Sequence, residues 1–192
     1  MEWVKVFDEN FQWVGEDTRE NVHRQGKWHE TFHCWFVDRQ FIYVQKRSDA
    51  KNDFPSLFDI TAAGHLEATE TIEGGVREIE EELGVKVQFS QLTSVGVVQD
   101  IIDLPGFQDY EFAHVFLYVS SFEPTDFTLQ EEEVDSIHAI KKEDFIRLCS
   151  QEVNNVRCRN IMMGTVTEIG LVDFVPHHIN YFEAIAKKLV FV

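Results

Sequence analysis

Residues 77–85 read REIEEELGV, crowding Glu78, Glu80, Glu81 and Glu82 into one short stretch that Leu83-Gly84-Val85 then closes. On an α-helix, at about 100° per residue, Glu81 and Glu82 fall about 60° behind and about 40° ahead of Glu78, while Glu80 points away. Like charges three and four residues apart cost a helix roughly 0.2–0.5 kcal/mol per pair. A solvated acidic face tolerates that cost, and most glutamate runs are of this kind. A divalent cation removes it. Mg²⁺ and Mn²⁺ prefer hard oxygen donors, and Mg²⁺ takes one or two carboxylates and leaves its other positions to water and substrate phosphate. The stretch alone leaves both readings open.

The elements that must position these carboxylates follow from pattern. WVKVF and FQWVG flank Asp8-Glu9-Asn10 as a β-hairpin. TRENVHRQG reads as a helix with Thr18 as N-cap and Gly26 as terminator. Residues 33–37 and 41–46 read as adjacent strands, followed by the polar loop RSDAKNDFPS and a short extended FDIT. Glu70 through Leu83 is the predicted acidic helix, ended by Gly84 at C′. VKVQF, TSVGVV, FAHVFLYV and VDSIHAI are β-like, KKEDFIRLC is helical, and a last helix opens near Pro176. A long helix between strands, with more strands after it, predicts an α/β domain with a mixed sheet.

The whole chain bounds the chemistry. Its 192 residues, 44% hydrophobic with 17 Phe, suffice for one packed domain. Seventeen basic against 34 acidic side chains give a formal charge of −17, which argues against nonspecific nucleic-acid binding. A phosphate ester would need bridging cations to reach so acidic a protein. Cys34, Cys149 and Cys158 are odd in number and lack a CxxC pair, so a reducing, cytoplasmic setting is expected. The first residues lack the basic-then-apolar pattern of a signal peptide, and no run of about 18 apolar residues predicts a membrane span.

Read together, residues 64–85, GHLEATETIEGGVREIEEELGV, closely resemble the Nudix box, the signature of the Nudix hydrolases: G, five residues, E, seven residues, then REUXEEXGU with U aliphatic. Gly64 and Glu70 match its front half, and Arg77, Glu78, Ile79, Glu81, Glu82, Gly84 and Val85 match its back half. There are two departures: six residues, not seven, separate Glu70 from Arg77, and Thr69 stands where the family has glycine. The resemblance implies an α/β/α sandwich, metal ligation of Mg²⁺ or Mn²⁺ by Glu78, Glu81 and Glu82 with Gly64 beside them, and Glu70 and Arg77 bracing loop against helix. Glu80 takes the variable position. Over 192 residues it implies one Nudix domain: an N-terminal hairpin and helix (1–27), a core with the box (28–150) and a C-terminal helical extension (151–192).

The likeness extends further. DENFQWVGEDTRENVHRQGKWHETF and KRSDAKNDFPSLFDITAAGH resemble the branch that contains type I isopentenyl-diphosphate isomerase, over most of residues 4–145. That resemblance implies a second metal held by His23, His29, His65 and Glu111, with Asp109 at the other carboxylate position. It also implies diphosphate contacts from Arg19, Arg47 and Lys51. The isomerase needs a cysteine just before the Gly-His pair, and Ala63 stands there. A methyl group transfers no proton. His177-His178 lies outside the resemblance and reads as polarity at a helix start. Glu131, Glu132 and Glu133 read as a solvated turn, with Glu133 kept as an additional ligand or base.

The function expected from the sequence is a Mg²⁺-dependent hydrolase cleaving a diphosphate linkage in a small molecule, such as a nucleoside di- or triphosphate. The alternatives are an allylic isomerase, against which Ala63 counts, and a noncatalytic diphosphate-binding Nudix domain. A homodimer is left open.

Overall fold

A computed structural model describes residues 2–192. The chain opens with the expected hairpin, β1 (Trp3–Phe7) and β2 (Trp13–Thr18). Helix α1 (Arg19–Gln25) is capped at both ends as predicted: Thr18 Oγ1 accepts from Asn21 N at 3.3 Å, and Gly26 adopts φ 59°. Strands β3 (Trp28–Val37), β4 (Phe41–Arg47), β5 (Phe58–Asp59) and β6 (Ala62–His65) lead to α2 (Arg77–Leu83). The long hairpin β7 (Leu92–Leu104) and β8 (Phe107–Val119) follows, then β9 (Val134–Lys141) and α3 (Lys142–Cys149). Strands β10 (Val156–Asn160) and β11 (Val166–Ile169) and helix α4 (Ile179–Leu189) complete the chain.

The eleven strands among the described residues belong to one mixed sheet, in which β3 and β8 run parallel and the other ladders are antiparallel. One junction decides where a ligand can enter. Strands β3 and β4 meet at a single register pair, Val37↔Ile42, and then separate. Beyond it β3 takes β6 as its neighbour and β4 takes β5, so the sheet splits and a cleft opens between its halves.

Side chains alternate across each strand. On one face Phe32, Cys34 and Phe36 of β3 pack with Ile79 and Leu83 of α2. On the other, Trp35 and Val37 pack with Phe145 of α3 and Tyr181, Phe182 and Ile185 of α4. The result is the expected α/β/α sandwich.

Three local expectations are corrected. The acidic helix begins at Arg77, not Glu70; residues 74–76 form a 3₁₀ turn, because Gly74-Gly75 is a poor α-helix start. VKVQF has an alternating pattern of exposure, yet it joins no ladder: Val85, Val87 and Phe89 pack against the α2 side of the core as an extended segment. Residues 151–192 are not purely helical, since β10 and β11 extend the sheet beyond β9. The alternation of buried Val156, Cys158 and Asn160 with exposed Arg157 and Arg159 is the strand signal there.

Candidate functional site

A cleft of about 510 Å³ lies at the split in the sheet, and α2, β3, β6, β8 and the β4–β5 loop all reach it. Helix α2 turns Glu78, Glu81 and Glu82 into this cleft. Glu80 is directed outward to Lys86, 3.2 Å away. The sequence geometry of the acidic run therefore holds.

The three cleft-facing carboxylates differ in setting. Glu82 is 7% exposed, and its Oε2 accepts from the Ala63 backbone N–H at 3.2 Å and from Gln45 Nε2 at 3.3 Å. Burial, reinforced by the neighbouring Glu78, pushes its carboxyl up to about 8. Burial likewise raises Glu78 to about 7, against the pull of Arg77. Glu81 is the open one, with a side chain 54% exposed and Arg77 Nη1 at 2.9 Å. Both shifts come from burial and from the like charges of neighbouring glutamates.

Gly64 sits beneath Glu78, where any side chain would displace the Glu78 carboxylate. A Cβ there would overlap the Glu78 carboxylate. At the helix end Gly84 adopts φ 71°, and its N–H donates to Glu80 O, stopping α2 where the sequence says it should.

Glu70 is in the loop, and it reaches the helix through Arg77. Arg77 Nε and Nη2 donate to Glu70 Oε1 and Oε2 at 2.6 and 3.1 Å, a bidentate pair, and Nη1 lies 2.7 Å from Glu78. Glu70 Oε2 also accepts from Glu67 N at 2.8 Å. The missing residue between Glu70 and Arg77 thus leaves the clamp between loop and helix intact.

A second cluster adjoins the first. His23 of α1, His29 of β3, His65 of β6 and Asp109 of β8 bring ligand atoms within 4.8 Å of one another. The Nε2 atoms of His23 and His65 are 3.0 Å apart. Burial lowers all three imidazoles, His23 to about 4, which favours their neutral form. His29 Nε2 and Asp109 Oδ1 are buried and lie 3.3 Å apart without the geometry of a hydrogen bond. Three imidazoles and a carboxylate are the donor set of a divalent transition-metal ion. Of the two carboxylates that the resemblance names, both line the cleft. Asp109 completes the cluster, while Glu111 turns to His33, with Nε2 at 3.3 Å.

The three cations expected from the sequence all line the cleft. Arg19 approaches Glu2 at 3.9 Å. Arg47 Nη1 donates to Asp59 Oδ2 at 2.9 Å, and its Nε and Nη2 donate to the Asp53 carbonyl. Lys51 pairs with Glu133, which places Glu133 at the cleft wall and not in a solvated turn. Sequence reasoning missed His177. His178 does cap α4, accepting from Asn180 N, but His177 is buried between Asp59 and Asp100 at the cleft. Two adjacent histidines before a helix give no sign of which one turns inward.

The three cysteines are buried and free, and burial pushes the Cys149 and Cys158 thiols up to about 12. No helix among the described residues is long and apolar enough to cross a membrane.

An α/β/α sandwich with a split mixed sheet, and REIEEELGV on the helix beside the split, defines a Nudix domain. Residues 27–155 match the NUDIX domain family, and the chain belongs to it. It is 32% identical over 200 aligned residues to an uncharacterized Nudix hydrolase of Clostridium acetobutylicum, a match spanning 98% of this chain and 97% of that one. Nudix hydrolase 3 of Arabidopsis thaliana is 37% identical over 142 residues, 70% of this chain but only 18% of the plant protein. The fold is shared with a crystal structure of a Deinococcus radiodurans protein, with a TM-score of 0.59 at 17% identity, covering 78% of this chain and 90% of that one. The chain is thus a hydrolase of the class that acts on pyrophosphate bonds.

Proposed function

We propose that this enzyme cleaves the diphosphate linkage of a small molecule, a nucleoside di- or triphosphate or a related ester, in a reaction that depends on Mg²⁺ or Mn²⁺. The observation that carries the reading is the pairing of opposites across one cleft: Glu78, Glu81 and Glu82 on α2, facing Arg19, Arg47 and Lys51. Carboxylates alone would repel a diphosphate, and arginines alone would give no Lewis acid.

Glu78, Glu81 and Glu82 would hold the cation, with Glu82 fixed by Ala63 and Gln45 and Gly64 leaving room for Glu78. When bound, such a cation supplies Lewis acidity toward phosphoryl oxygens and lowers the pKa of the attacking water. Arg77 and Glu70 orient the helix, while Arg47 and Lys51 receive phosphate oxygens by charge-assisted hydrogen bonds. His23, His29, His65 and Asp109 would hold a second cation. The test is release of phosphate or pyrophosphate from a panel of diphosphates, with Mg²⁺ or Mn²⁺ and with chelator. Metal-dependent turnover is expected for at least one compound; a panel without turnover sinks the proposal.

The histidine cluster also favours a second reading, the isopentenyl-diphosphate isomerase branch. Against it stands Ala63, which offers a methyl group to the cleft, while Cys34 lies buried in the core under α2. Incubation with isopentenyl diphosphate separates the two.

A further inference from the structure

Residues beyond the matched family domain also build the cleft. Segment 174–178 is latched to the split sheet: Val175 N donates to Phe58 O at 2.9 Å, and His178 N donates to Asp100 Oδ1 at 2.8 Å. Between these anchors His177, its side chain 6% exposed, enters the cleft wall. Its Nδ1 lies 2.5 Å from Asp100 Oδ2 and its Nε2 lies 2.9 Å from Asp59 Oδ1.

A carboxylate only accepts, so both ring nitrogens donate and the ring is an imidazolium. Burial opposes that charge, but Asp100 and Asp59 outweigh it and hold His177 well above the ordinary imidazole value. Tyr181 stacks on the ring at 5.0 Å, fixing its plane.

The chain of contacts continues to a residue that faces substrate. Asp59 Oδ1 is occupied by His177 and by the Ile60 N–H at 2.8 Å, so the carboxylate cannot rotate. Its other oxygen, Oδ2, accepts from Arg47 Nη1 at 2.9 Å. With the Asp53 carbonyl holding Nε and Nη2, three of the five guanidinium N–H groups are committed and two remain for an anion. A free arginine would have to be ordered by the substrate itself, at a cost in rotamer freedom.

We infer that His177 is a positioning residue, which locks Asp59 and through it aims Arg47 at the substrate's diphosphate. The inference rests on the diphosphate reading of the cleft. It makes the C-terminal segment a part of the binding site rather than an appendage to the domain.

The test uses the full chain and Mg²⁺-methylenediphosphonate, a nonhydrolysable diphosphate, with binding followed by calorimetry. His177→Gln and Arg47→Ala are each expected to weaken binding about 30-fold or more, in line with losing one partner of a buried charge pair. Their double variant should be within about twofold of Arg47→Ala alone, since residues acting through one contact do not add. Asp59→Asn gives an independent reading and serves if His177→Gln does not fold. It removes a negative charge beside an anion site, so bulk charge predicts tighter binding, whereas loss of aim predicts weaker binding. A stability role alone would lower the melting temperature and leave the dissociation constant of folded protein unchanged. Unaltered binding by His177→Gln or tighter binding by Asp59→Asn overturns the inference, and so do fully multiplicative losses in the double variant. If the wild-type chain binds no diphosphate at all, the reading of the cleft fails first, and that outcome is distinct from the others.

Discussion

The backbone N–H of Ala63 donates to Glu82 Oε2 across 3.2 Å, joining β6 to α2 at the position where the isomerase branch carries its cysteine. The contact needs only a backbone group, so it survives whatever side chain residue 63 bears. On the proposed reading, the scaffold that would bind a diphosphate is therefore separable from the proton-transfer group of the isomerase. Pure protein with Mg²⁺ or Mn²⁺ should form no dimethylallyl diphosphate from isopentenyl diphosphate, as followed by proton NMR. Sustained, metal-dependent isomerisation would defeat the argument from Ala63.

Metal should stabilise the protein more at high pH than at low. Burial raises Glu78 to about 7 and Glu82 to about 8, above the 4.5 of a free glutamate. The native state thus binds these protons more tightly than the unfolded chain does. The contribution is present in full below pH 4.5 and is lost as pH rises through 7 to 8. Chelated protein should accordingly lose melting temperature between pH 5 and pH 8, by about 2–4 °C for each kcal/mol withdrawn. Added Mg²⁺ should restore most of it at pH 8 and little at pH 5, as measured by calorimetry in matched buffers. Equal stabilisation at both pH values would separate metal binding from these two carboxylates.

Much of this architecture was legible in REIEEELGV and its neighbours, because helix periodicity is local. The direction of Glu78, Glu81 and Glu82, the outward Glu80 and the stop at Gly84 need nothing beyond 3.6 residues per turn and one left-handed residue. The clamp of Arg77 on Glu70 was legible as a pairing, but its backbone was not, since Glu70 acts from a loop. What escaped was long-range. Asp109 and Glu111 lie on the same face of β8, and that Glu111 meets His33 across the sheet is not written in their spacing. His177 escaped for the same reason: Asp59 and Asp100 lie far from it in sequence and meet it only through the split sheet. VKVQF showed that alternation reports a buried face and not the presence of a partner strand.

The histidine cluster should behave as a metal site independent of α2. His65→Ala removes one of three neutral imidazoles whose ligand atoms lie within 4.8 Å of each other. Mn²⁺ titration monitored by electron paramagnetic resonance should show two classes of site in the wild-type protein. His65→Ala should weaken one class by at least about 10–100-fold, the scale on which even supporting groups tune metal affinity. Glu82→Gln should spare that class and weaken the other. A single class lost in both variants would merge the two clusters into one site.

Gly64→Ala should act through Glu78 without touching charge. The added methyl would overlap the Glu78 carboxylate, so that side chain must swing away from the cleft. Because misplacing one group by about 1 Å can cost about 10²-fold, a fall of 10–100-fold in kcat/KM is expected with the fold intact. Circular dichroism checks the fold and steady-state kinetics the rate. Activity within a few-fold of wild type would mean that Glu78 contributes little to the cation.

Glu82→Gln against Glu80→Gln sets the metal-face reading against bulk acidity. The two residues are two positions apart on α2, carry the same charge and differ in direction. Glu82 is buried against Ala63 and Gln45, while Glu80 is exposed beside Lys86. Glutamine keeps the size of the side chain and removes the charge that a hard cation requires. At Glu82 the loss should reach ~3–5 kcal/mol in the transition state, about 10²–10⁴-fold in kcat/KM, the scale of charge-stabilising groups. Glutamine at 82 also relieves a buried carboxyl, so stability without metal should hold or rise even as activity falls. At Glu80 the change removes one exposed ion pair and should stay within a few-fold. Both are measured at saturating Mg²⁺ on whichever diphosphate the panel identifies. Equal losses at the two positions would show that the acidic run works through its summed field, and the assignment of Glu82 to the cation would fall.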